Sequence, residues 1–419
     1  MTLMCQKDSY LKTFQSPITS IENCKRIIEG NEISGIDLIF KDTIFFPTGG
    51  GQPCDYGKIG EKNVVVDVRR ENNDAVLFLK TEESAETIDL KIGDQPMQSI
   101  DWERRFDHMQ QHSGQHLITA IAMKQFNLMT TSWCLDPKIS YIELDSSPIS
   151  FETIDEMERV INAKIRENHS VTITFRDRND LEDIFQRMEL PDEIDQQQIR
   201  IISIESIDKN PCCGTHVRSL GDLQMIKLLG CQKSKKNKCL LYFLVGNRVL
   251  QHFNKVLNRE RSITNLLKCS DDESYAILNK MQRRIKQIQK NYNEAIKNLA
   301  KLEAQKYLNL SNFSRFYSLH RKEDNYDFIS TFLNNIEASL LNERLILISI
   351  LDDSDQSNGS GQIVLAGKID LVQKASEIAL NSFDVKGSIS QQRFRGRIAN
   401  VTKISELETS IRTAIEDIE

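Results

Sequence analysis

The chain has 419 residues, of which 39% are apolar and 27% charged, and its formal net charge is -6. No apolar run approaches the roughly 18 residues that a membrane-spanning helix needs. The N-terminus also lacks the basic segment and apolar run of a secretory signal, so we expect a cytoplasmic protein with no membrane partner. The negative net charge excludes a basic surface over the whole molecule, but a local basic surface for nucleic acid remains compatible with it.

The cysteine content favours reduced thiols. Nine cysteines are an odd number, and they are too sparse for a disulfide framework in a chain of this length. Reduced thiols are typical of the cytosol, where some of them are available to a metal ion.

The first hundred residues predict a small β-domain. Short apolar runs such as Gly35–Phe40 and Val64–Val68 are separated by frequent glycines. Strands divided by glycine turns are typical of a small barrel or sandwich, and we expect a β-barrel over residues 1–100.

Residues 101–256 predict an α+β domain. A helical pattern runs from His108 to Phe126, and a second amphipathic helix is predicted from Thr153 to Asn168. Between and after these helices, five short runs predict strands that begin near Ile139, Val171, Ile199, Leu223 and Leu240. Helices segregated from a largely antiparallel sheet define the α+β class.

A coiled-coil segment is predicted over residues 257–310. Between residues 258 and 308 there is no glycine or proline, and apolar residues step alternately by three and four: Leu278, Met281, Ile285, Ile288, Tyr292, Ala295, Leu299 and Leu302. Such a seam is typical of a coiled-coil hairpin or dimer, so self-association is one expected outcome. Residues 311–419 predict a small α/β domain, with helices at Ile369–Asn381 and Ile404–Ile418 joined by a Gly/Ser/Arg-rich loop.

Two short motifs a hundred residues apart predict a zinc site. His112 and His116 lie four residues apart on a predicted helix, and Cys212 and His216 have the same spacing in a segment with proline and glycine. Imidazole and thiolate are preferred zinc ligands, and four of them complete a tetrahedron. Cys213 is an alternative thiol ligand. Four protein ligands favour a structural ion, whereas a catalytic ion needs an open position.

Three further motifs predict polar contacts to a ligand. Phe46–Pro53 contains three consecutive glycines and Gln52, without the spacing of a phosphate-binding P-loop. Arg104 and Arg105 suit recognition of phosphate or carboxylate, or else form a helix-entry cluster with neighbouring acids. The run Thr130-Thr131-Ser132 offers hydroxyls. Basic clusters at Arg283–Arg284 and Arg393–Arg397 are candidate phosphate contacts, although a solvated face is the commoner explanation.

In their order and spacing, these motifs resemble the editing half of alanyl-tRNA synthetase. They are most similar to its freestanding long-form relatives, the alanyl-tRNA editing proteins of the AlaX type. The resemblance covers nearly the whole chain and implies one zinc ion per chain, held by His112, His116, Cys212 and His216.

The resemblance also implies an activity and a partner. The substrate would be alanine tRNA charged with serine, and possibly also with glycine, whose ester the protein would hydrolyse in trans. The implied pocket residues are Gly50, Gly51, Gln52, Thr130 and Thr131. The implied tRNA contacts are Arg104, Arg105, Arg283, Arg284, Arg393 and Arg395. Two alternatives stay open: a non-catalytic scaffold with a structural zinc, and editing of a different tRNA such as threonine tRNA.

Overall fold

The computed structural model describes residues 2–28, 30–80, 89–177, 198–310, 314–322, 326–351, 360–390 and 392–416. The chain divides into two compact units, Met1–Ser262 and Ile263–Glu419. Both contain helices and strands, so the predicted α+β character is confirmed, while the finer four-domain layout remains a prediction. None of the helices in the described ranges is long and apolar enough to cross a membrane.

An antiparallel sheet of seven strands forms the N-terminal part of the first unit. Its spatial order is β1-β7-β4-β5-β6-β3-β2. The sheet has two edge strands, β1 and β2, among the strands described, and its closure into the predicted β-barrel stays a prediction. Its apolar face packs around Leu38, Phe45 and Leu77. A one-turn helix, α1 (Met4–Lys7), precedes the strands β1 (Thr13–Gln15), β2 (Ile18–Ile28), β3 (Asn31–Phe40), β4 (Gly57–Ile59), β5 (Asn63–Glu71), β6 (Asp74–Lys80) and β7 (Met97–Ile100).

The long helix α2 (Trp102–Phe126) and the amphipathic helix α3 (Phe151–Glu167) organise the rest of the first unit. Helix α2 begins at Asp101, whose side chain accepts a hydrogen bond from the Arg104 amide, and ends at Asn127 in the left-handed conformation. The predicted second helix is confirmed. Its Ile154, Met157, Ile161 and Ile165 are buried in the core that also contains Leu117 of α2, because apolar residues at this spacing share one helix face.

Two small antiparallel sheets complete this unit. One has the order β13-β14-β9-β8 and the other β10-β11-β12. The predicted strand at Leu223 begins three residues later, since Leu220–Leu223 forms a 3₁₀ turn. The strands are β8 (Thr130–Cys134), β9 (Ser140–Leu144), β10 (Val171–Asp177), β11 (Gln198–Ile204), β12 (Asp208–Pro211), β13 (Ile226–Lys233) and β14 (Cys239–Val245).

The predicted single helical segment is two helices, α4 (Asn247–Leu267) and α5 (Asp271–Leu308). The break has a local cause. Ser270 and Glu273 form a capping box, in which the Glu273 carboxylate accepts from the Ser270 amide and hydroxyl, and this arrangement starts a new helix. Seven of the eight seam residues of α5 are exposed within this single chain, the half-buried one being Leu299. The coiled coil therefore remains a prediction.

The second unit contains a five-stranded sheet in the order β15-β16-β17-β19-β18, with only β15 and β16 parallel among its described strands. One face packs against α8 and α9, and the other against α6 and the C-terminal part of α5. The predicted helices at Ile369 and Ile404 are confirmed. The predicted Gly/Ser/Arg loop is instead the strand pair β18–β19. The elements are β15 (Phe316–Arg321), α6 (Tyr326–Asn334), α7 (Ala338–Leu341), β16 (Leu345–Leu351), β17 (Gly361–Gly367), α8 (Ile369–Ser382), β18 (Val385–Ser390), β19 (Arg393–Ile398) and α9 (Ile404–Glu416).

Candidate metal centre

The structure brings His112, His116, Cys212 and His216 together. Their ligand atoms all lie within 4.8 Å of one another. The Cys212 Sγ is 3.4 Å from the His112 Nε2 and 3.2 Å from the His216 Nε2. In a tetrahedral zinc site with ordinary bond lengths, sulfur and nitrogen ligands are about 3.5 Å apart. The donor set and its spacing therefore fit a zinc ion.

Hydrogen bonds from Gln52 orient the first imidazole. The fully buried Gln52 Oε1 accepts from the Thr215 amide at 3.0 Å and lies 2.9 Å from the His112 Nδ1. Its Nε2 donates to the Thr215 hydroxyl at 2.8 Å, so the orientation of the amide is fixed. Because Oε1 can only accept, His112 carries its proton on Nδ1 and turns the Nε2 lone pair toward Cys212.

Ser113 plays the corresponding part for the second imidazole. Its Oγ lies 3.0 Å from the His216 Nδ1 and accepts from the Val217 amide at 3.1 Å. The His216 Nε2 is thereby left facing the sulfur. Ser113 is not among the site residues predicted from the sequence. Its position beside His112 on a buried helix was the available signal for this contact.

Burial keeps the imidazoles neutral. It lowers the pKa of His112 and His216 well below the ordinary value, and that of His116 to about 4. Burial also raises the pKa of Cys212 to about 11. Without a cation, the cluster consists of neutral imidazoles and a thiol. Neutral imidazole is the form that binds a metal, and binding displaces the thiol proton.

The Gly-Gly-Gly-Gln segment is a tight hairpin turn that delivers Gln52. Gly49 and Gln52 exchange backbone hydrogen bonds of 3.1 and 3.0 Å, while Gly50 and Gly51 both have positive φ, at 59° and 81°. This combination defines a two-residue type I′ turn. The indole Nε1 of Trp133 donates to the Gly50 carbonyl at 3.2 Å, and a Cβ on Gly51 would lie 2.7 Å from that nitrogen. Trp133 thus packs directly over the turn.

Gly214 is required by close packing within the Cys–His loop. A Cβ at this position would lie 2.2 Å from the His112 Cε1 and 3.0 Å from the Gln52 Oε1. Only glycine permits the backbone to approach the imidazole this closely.

The two predicted arginines differ in their surroundings. Arg105 is fully buried: it pairs with Asp55, which is also fully buried, and donates to the Ser9 carbonyl at 2.9 Å and the Ile44 carbonyl at 2.5 Å. Its guanidinium is therefore unavailable to an RNA phosphate, because it joins three segments of the fold. Arg104 is partly exposed, stacks 3.8 Å over the Tyr56 ring, and donates to the Cys54 carbonyl.

The neighbouring threonines also have different contacts. The Thr130 hydroxyl lies 3.2 Å from the Thr119 hydroxyl of α2, the helix that carries His112 and His116. The Thr131 hydroxyl instead donates to the Glu143 carboxylate at 2.7 Å and accepts from the Lys238 ammonium at 3.0 Å. Of the two, Thr130 is the one linked to α2.

Arg200 is a buried residue near the cluster that sequence reasoning missed. Its Nε donates to the Gln6 carbonyl at 2.9 Å, and its Nη1 donates to the Cys212 carbonyl at 2.5 Å. These bonds fix the loop at the ligand residue. His108 lies outside the four-ligand group found among the described residues, and burial lowers its pKa to about 3.

The remaining predicted tRNA contacts belong to the second unit. Arg283 and Arg284 are exposed on α5. Arg393 and Arg395 lie on β19, where Arg397 follows at the same two-residue spacing, and alternate residues of a strand project from the same face.

Comparison with known proteins identifies the family. Residues 199–242 match the family described as the threonyl and alanyl tRNA synthetase second additional domain. The alanyl-tRNA editing protein Aarsd1-B of Xenopus laevis is 38% identical over 424 residues, covering 100% of this chain and 99% of its own length. The Aarsd1 protein of Danio rerio is 37% identical, covering 98% of this chain and 97% of its own.

A more distant relative is the alanyl-tRNA editing protein AlaX-L of Pyrococcus horikoshii. It is 28% identical over 263 residues, which span 60% of this chain and 59% of the relative. Because the vertebrate similarities extend over essentially the whole length of both chains, this chain belongs to the alanyl-tRNA editing protein family.

Proposed function

We propose that the protein is a trans-editing hydrolase that cleaves the ester of alanine tRNA wrongly charged with serine. The observation that carries the proposal is the group of three imidazoles and one thiol, buried at His112 and His216 and half-buried at His116 and Cys212, whose ligand atoms lie within 4.8 Å of one another. The names of the full-length relatives support the choice of tRNA.

The cluster would hold one zinc ion through His112, His116, Cys212 and His216. When bound, zinc supplies a Lewis acid that polarises an oxygen or holds an amine. The protein contributes the orientation of the ligands, since Gln52 and Ser113 each engage an imidazole Nδ1. The Gly50–Gly51 turn, which delivers the Gln52 side chain to His112, would form part of the substrate pocket.

The tRNA would be held partly by a basic strip on β19, defined by Arg393, Arg395 and Arg397. The intervening Phe394 and the terminal Ile398 are buried in the core with α8 and α9, so the arginines occupy the opposite face of the sheet. Lys386 of β18 pairs with Arg397 in the ladder and adds a fourth cation. A row of arginines suits phosphate oxygens through bidentate hydrogen bonds. Arg104, Arg283 and Arg284 would add further phosphate contacts.

Removing part of the basic strip should weaken tRNA binding and its dependence on salt. For the double variant Arg395→Gln/Arg397→Gln, the slope of log K against log salt should fall by about 0.9 for each lost phosphate contact. Filter binding at several salt concentrations measures the slope. The matched control is Lys374→Gln/Lys403→Gln, which removes two exposed cations from the α8 and α9 side. If the two double variants had the same slope of log K against log salt, the basic strip would not be the tRNA-binding surface.

Self-association through α5 is a second element of the proposal. The exposed side chains of Leu278, Ile285 and Tyr292 recur at coiled-coil spacing, and a second copy of the helix would cover them. We also propose a cytoplasmic location, in keeping with nine free cysteines.

A deacylation time course tests the proposed activity. The purified protein should release serine from serine-charged alanine tRNA and leave correctly charged alanine tRNA intact, because a site that hydrogen-bonds a hydroxyl rejects the analogue lacking it. Threonine tRNA charged with serine serves as the second substrate, since the matched domain family includes threonyl-tRNA synthetase. A protein that holds zinc but hydrolyses none of these esters would instead be a scaffold.

A further inference from the structure

The hairpin between β13 and β14 carries a basic tip. Four of the six residues Lys233–Lys238 are lysines, in a chain whose formal net charge is -6. A 3₁₀ turn, Lys235–Asn237, lies at the tip, and the Ser234 amide donates to the Lys238 carbonyl at 2.7 Å. The tip is therefore an ordered turn that concentrates positive charge at one end of its sheet.

One lysine attaches the tip to the neighbouring strands. The Lys238 Nζ lies 3.3 Å from the Glu143 carboxylate of β9 and donates to the Thr131 hydroxyl of β8 at 3.0 Å. The Ser234 hydroxyl also donates to the Glu143 carboxylate, at 3.0 Å. These bonds fix the tip beside β8, which is the outermost described strand of this sheet.

Two other lysines of the tip face solvent. Lys233 and Lys235 are exposed, and neither has an ion pair among the residues that the structure describes. The Glu143 carboxylate is not available to them, because it already binds Lys238 and Ser234. Lys233 and Lys235 are therefore positioned to bind an anionic partner.

An exposed aromatic ring lies further along β8, beside the metal centre. Trp133 follows Thr131 by two residues, which is about 7 Å along a strand. Its indole Nε1 donates to the Gly50 carbonyl in the turn that delivers Gln52 to His112, and the residue is 39% exposed. Because its one polar atom is used in that bond, the exposed part of the side chain offers an aromatic surface.

Cations beside an exposed aromatic ring are typical of sites for single-stranded nucleic acid. The cations bind phosphates, and bases stack on the ring whatever their sequence. We infer that Lys233, Lys235 and Trp133 bind the single-stranded 3′ end of the tRNA, with the lysines on phosphates and a base on the indole. Their order fits a strand whose aminoacyl end is at the metal centre, because Trp133 lies beside that centre and the lysines lie farther along β8. The inference rests on the proposed function.

Binding of two uncharged RNA hairpins tests the inference without requiring turnover. Both contain the acceptor stem of alanine tRNA, and only one of them ends in the single-stranded CCA sequence. The variants are Lys233→Gln/Lys235→Gln and Trp133→Leu, with Trp133→Phe as the replacement that keeps an aromatic ring. The control is Lys58→Gln/Lys91→Gln, which removes two exposed cations from the N-terminal part of the same unit. Zinc content is measured for every variant.

For Trp133→Leu, we expect the affinity ratio of the CCA-ended to the CCA-less hairpin to fall about 5- to 100-fold, as for the loss of one base stack. Trp133→Phe should keep most of that ratio. For Lys233→Gln/Lys235→Gln, the slope of log K against log salt should fall by about 0.7 for each lost phosphate contact to a single strand. This fall should occur with the CCA-ended hairpin alone, and the control variant should keep both the ratio and the slope.

An unchanged ratio in zinc-containing Trp133→Leu protein together with an unchanged slope in the lysine variant would overturn the inference. Equal losses with the two hairpins would also overturn it, because the contacts would then be to the duplex. If Trp133→Leu loses zinc, the lysine variant decides, since its two residues are outside the metal centre. Failure of the proposed function has a different signature: the wild-type protein would deacylate no charged tRNA, while its affinities for the two hairpins could still be compared with those of the variants.

Discussion

Replacing Cys212 by alanine should remove the zinc and abolish deacylation of mischarged alanine tRNA. The Cys212 sulfur is the one thiol among the four clustered groups, and it lies within 3.4 Å of two imidazole nitrogens. Loss of groups that merely orient metal ligands already costs 10- to 100-fold in such sites, so loss of a ligand should lower the rate by more than about 100-fold. Metal analysis of the purified protein and a single-turnover deacylation assay measure the two effects.

The adjacent thiol provides the matched control. Cys213 is exposed, and its backbone carbonyl, which accepts from Gln6, is unaffected by a change of side chain. Cys213→Ala should therefore retain zinc and activity. A zinc-containing, fully active Cys212→Ala protein would refute the assignment. If Cys213→Ala lost zinc and Cys212→Ala did not, Cys213 would be the sulfur ligand.

Replacing Asp55 by asparagine should strongly destabilise the unit Met1–Ser262. Asp55 and Arg105 are both fully buried, and Asp55 also accepts from the Phe46 amide at 2.6 Å. Removing one charge leaves the other uncompensated in the interior, which typically costs about 3–5 kcal/mol in the free energy of unfolding. The two tryptophans, Trp102 and Trp133, both lie in this unit, so fluorescence during urea unfolding reports on it.

The control for this prediction is an ion pair at the surface. Lys25 and Glu32 are 3.2 Å apart, but their side chains are 63% and 66% exposed. Glu32→Gln should change the free energy of unfolding by less than about 1 kcal/mol, because exposed ion pairs contribute little. Similar midpoints for Asp55→Asn and Glu32→Gln would show that the buried pair has no special part in stability.

The His112–His116 and Cys212–His216 pairs could be recognised in the sequence because the spacing within each pair is local, and the family resemblance implied that the two pairs meet. Four-residue steps place His112 and His116 on one helix face, and Cys212 and His216 repeat the same step in a loop. The role of Arg105 could not be predicted in this way, since its partner is fifty residues distant and burial is set by tertiary packing. The same limit applies to Gln52, whose partner His112 is sixty residues away.

Other differences between prediction and structure arise where one sequence pattern suits two kinds of secondary structure. The serine and acidic residues at 270–273 are compatible with one long helix, but they also form a capping box, which starts a new helix. The Gly396 region with its arginines suits a loop, yet the alternation of charged and apolar residues also suits a strand with one exposed face. Composition predicts the strands of the N-terminal sheet but not their spatial order, because the order depends on which strands pair.

The buried Gln52 amide makes occupancy of the metal centre depend on a distant part of the fold. It extends from the loop between β3 and β4 and contacts both the His112 imidazole and Thr215. Any free energy gained on metal binding is therefore shared with the seven-stranded sheet, through the linkage between ligand binding and folding. A metal ion bound at this cluster would therefore stabilise the N-terminal sheet, and its removal would lower the free energy of unfolding of that sheet.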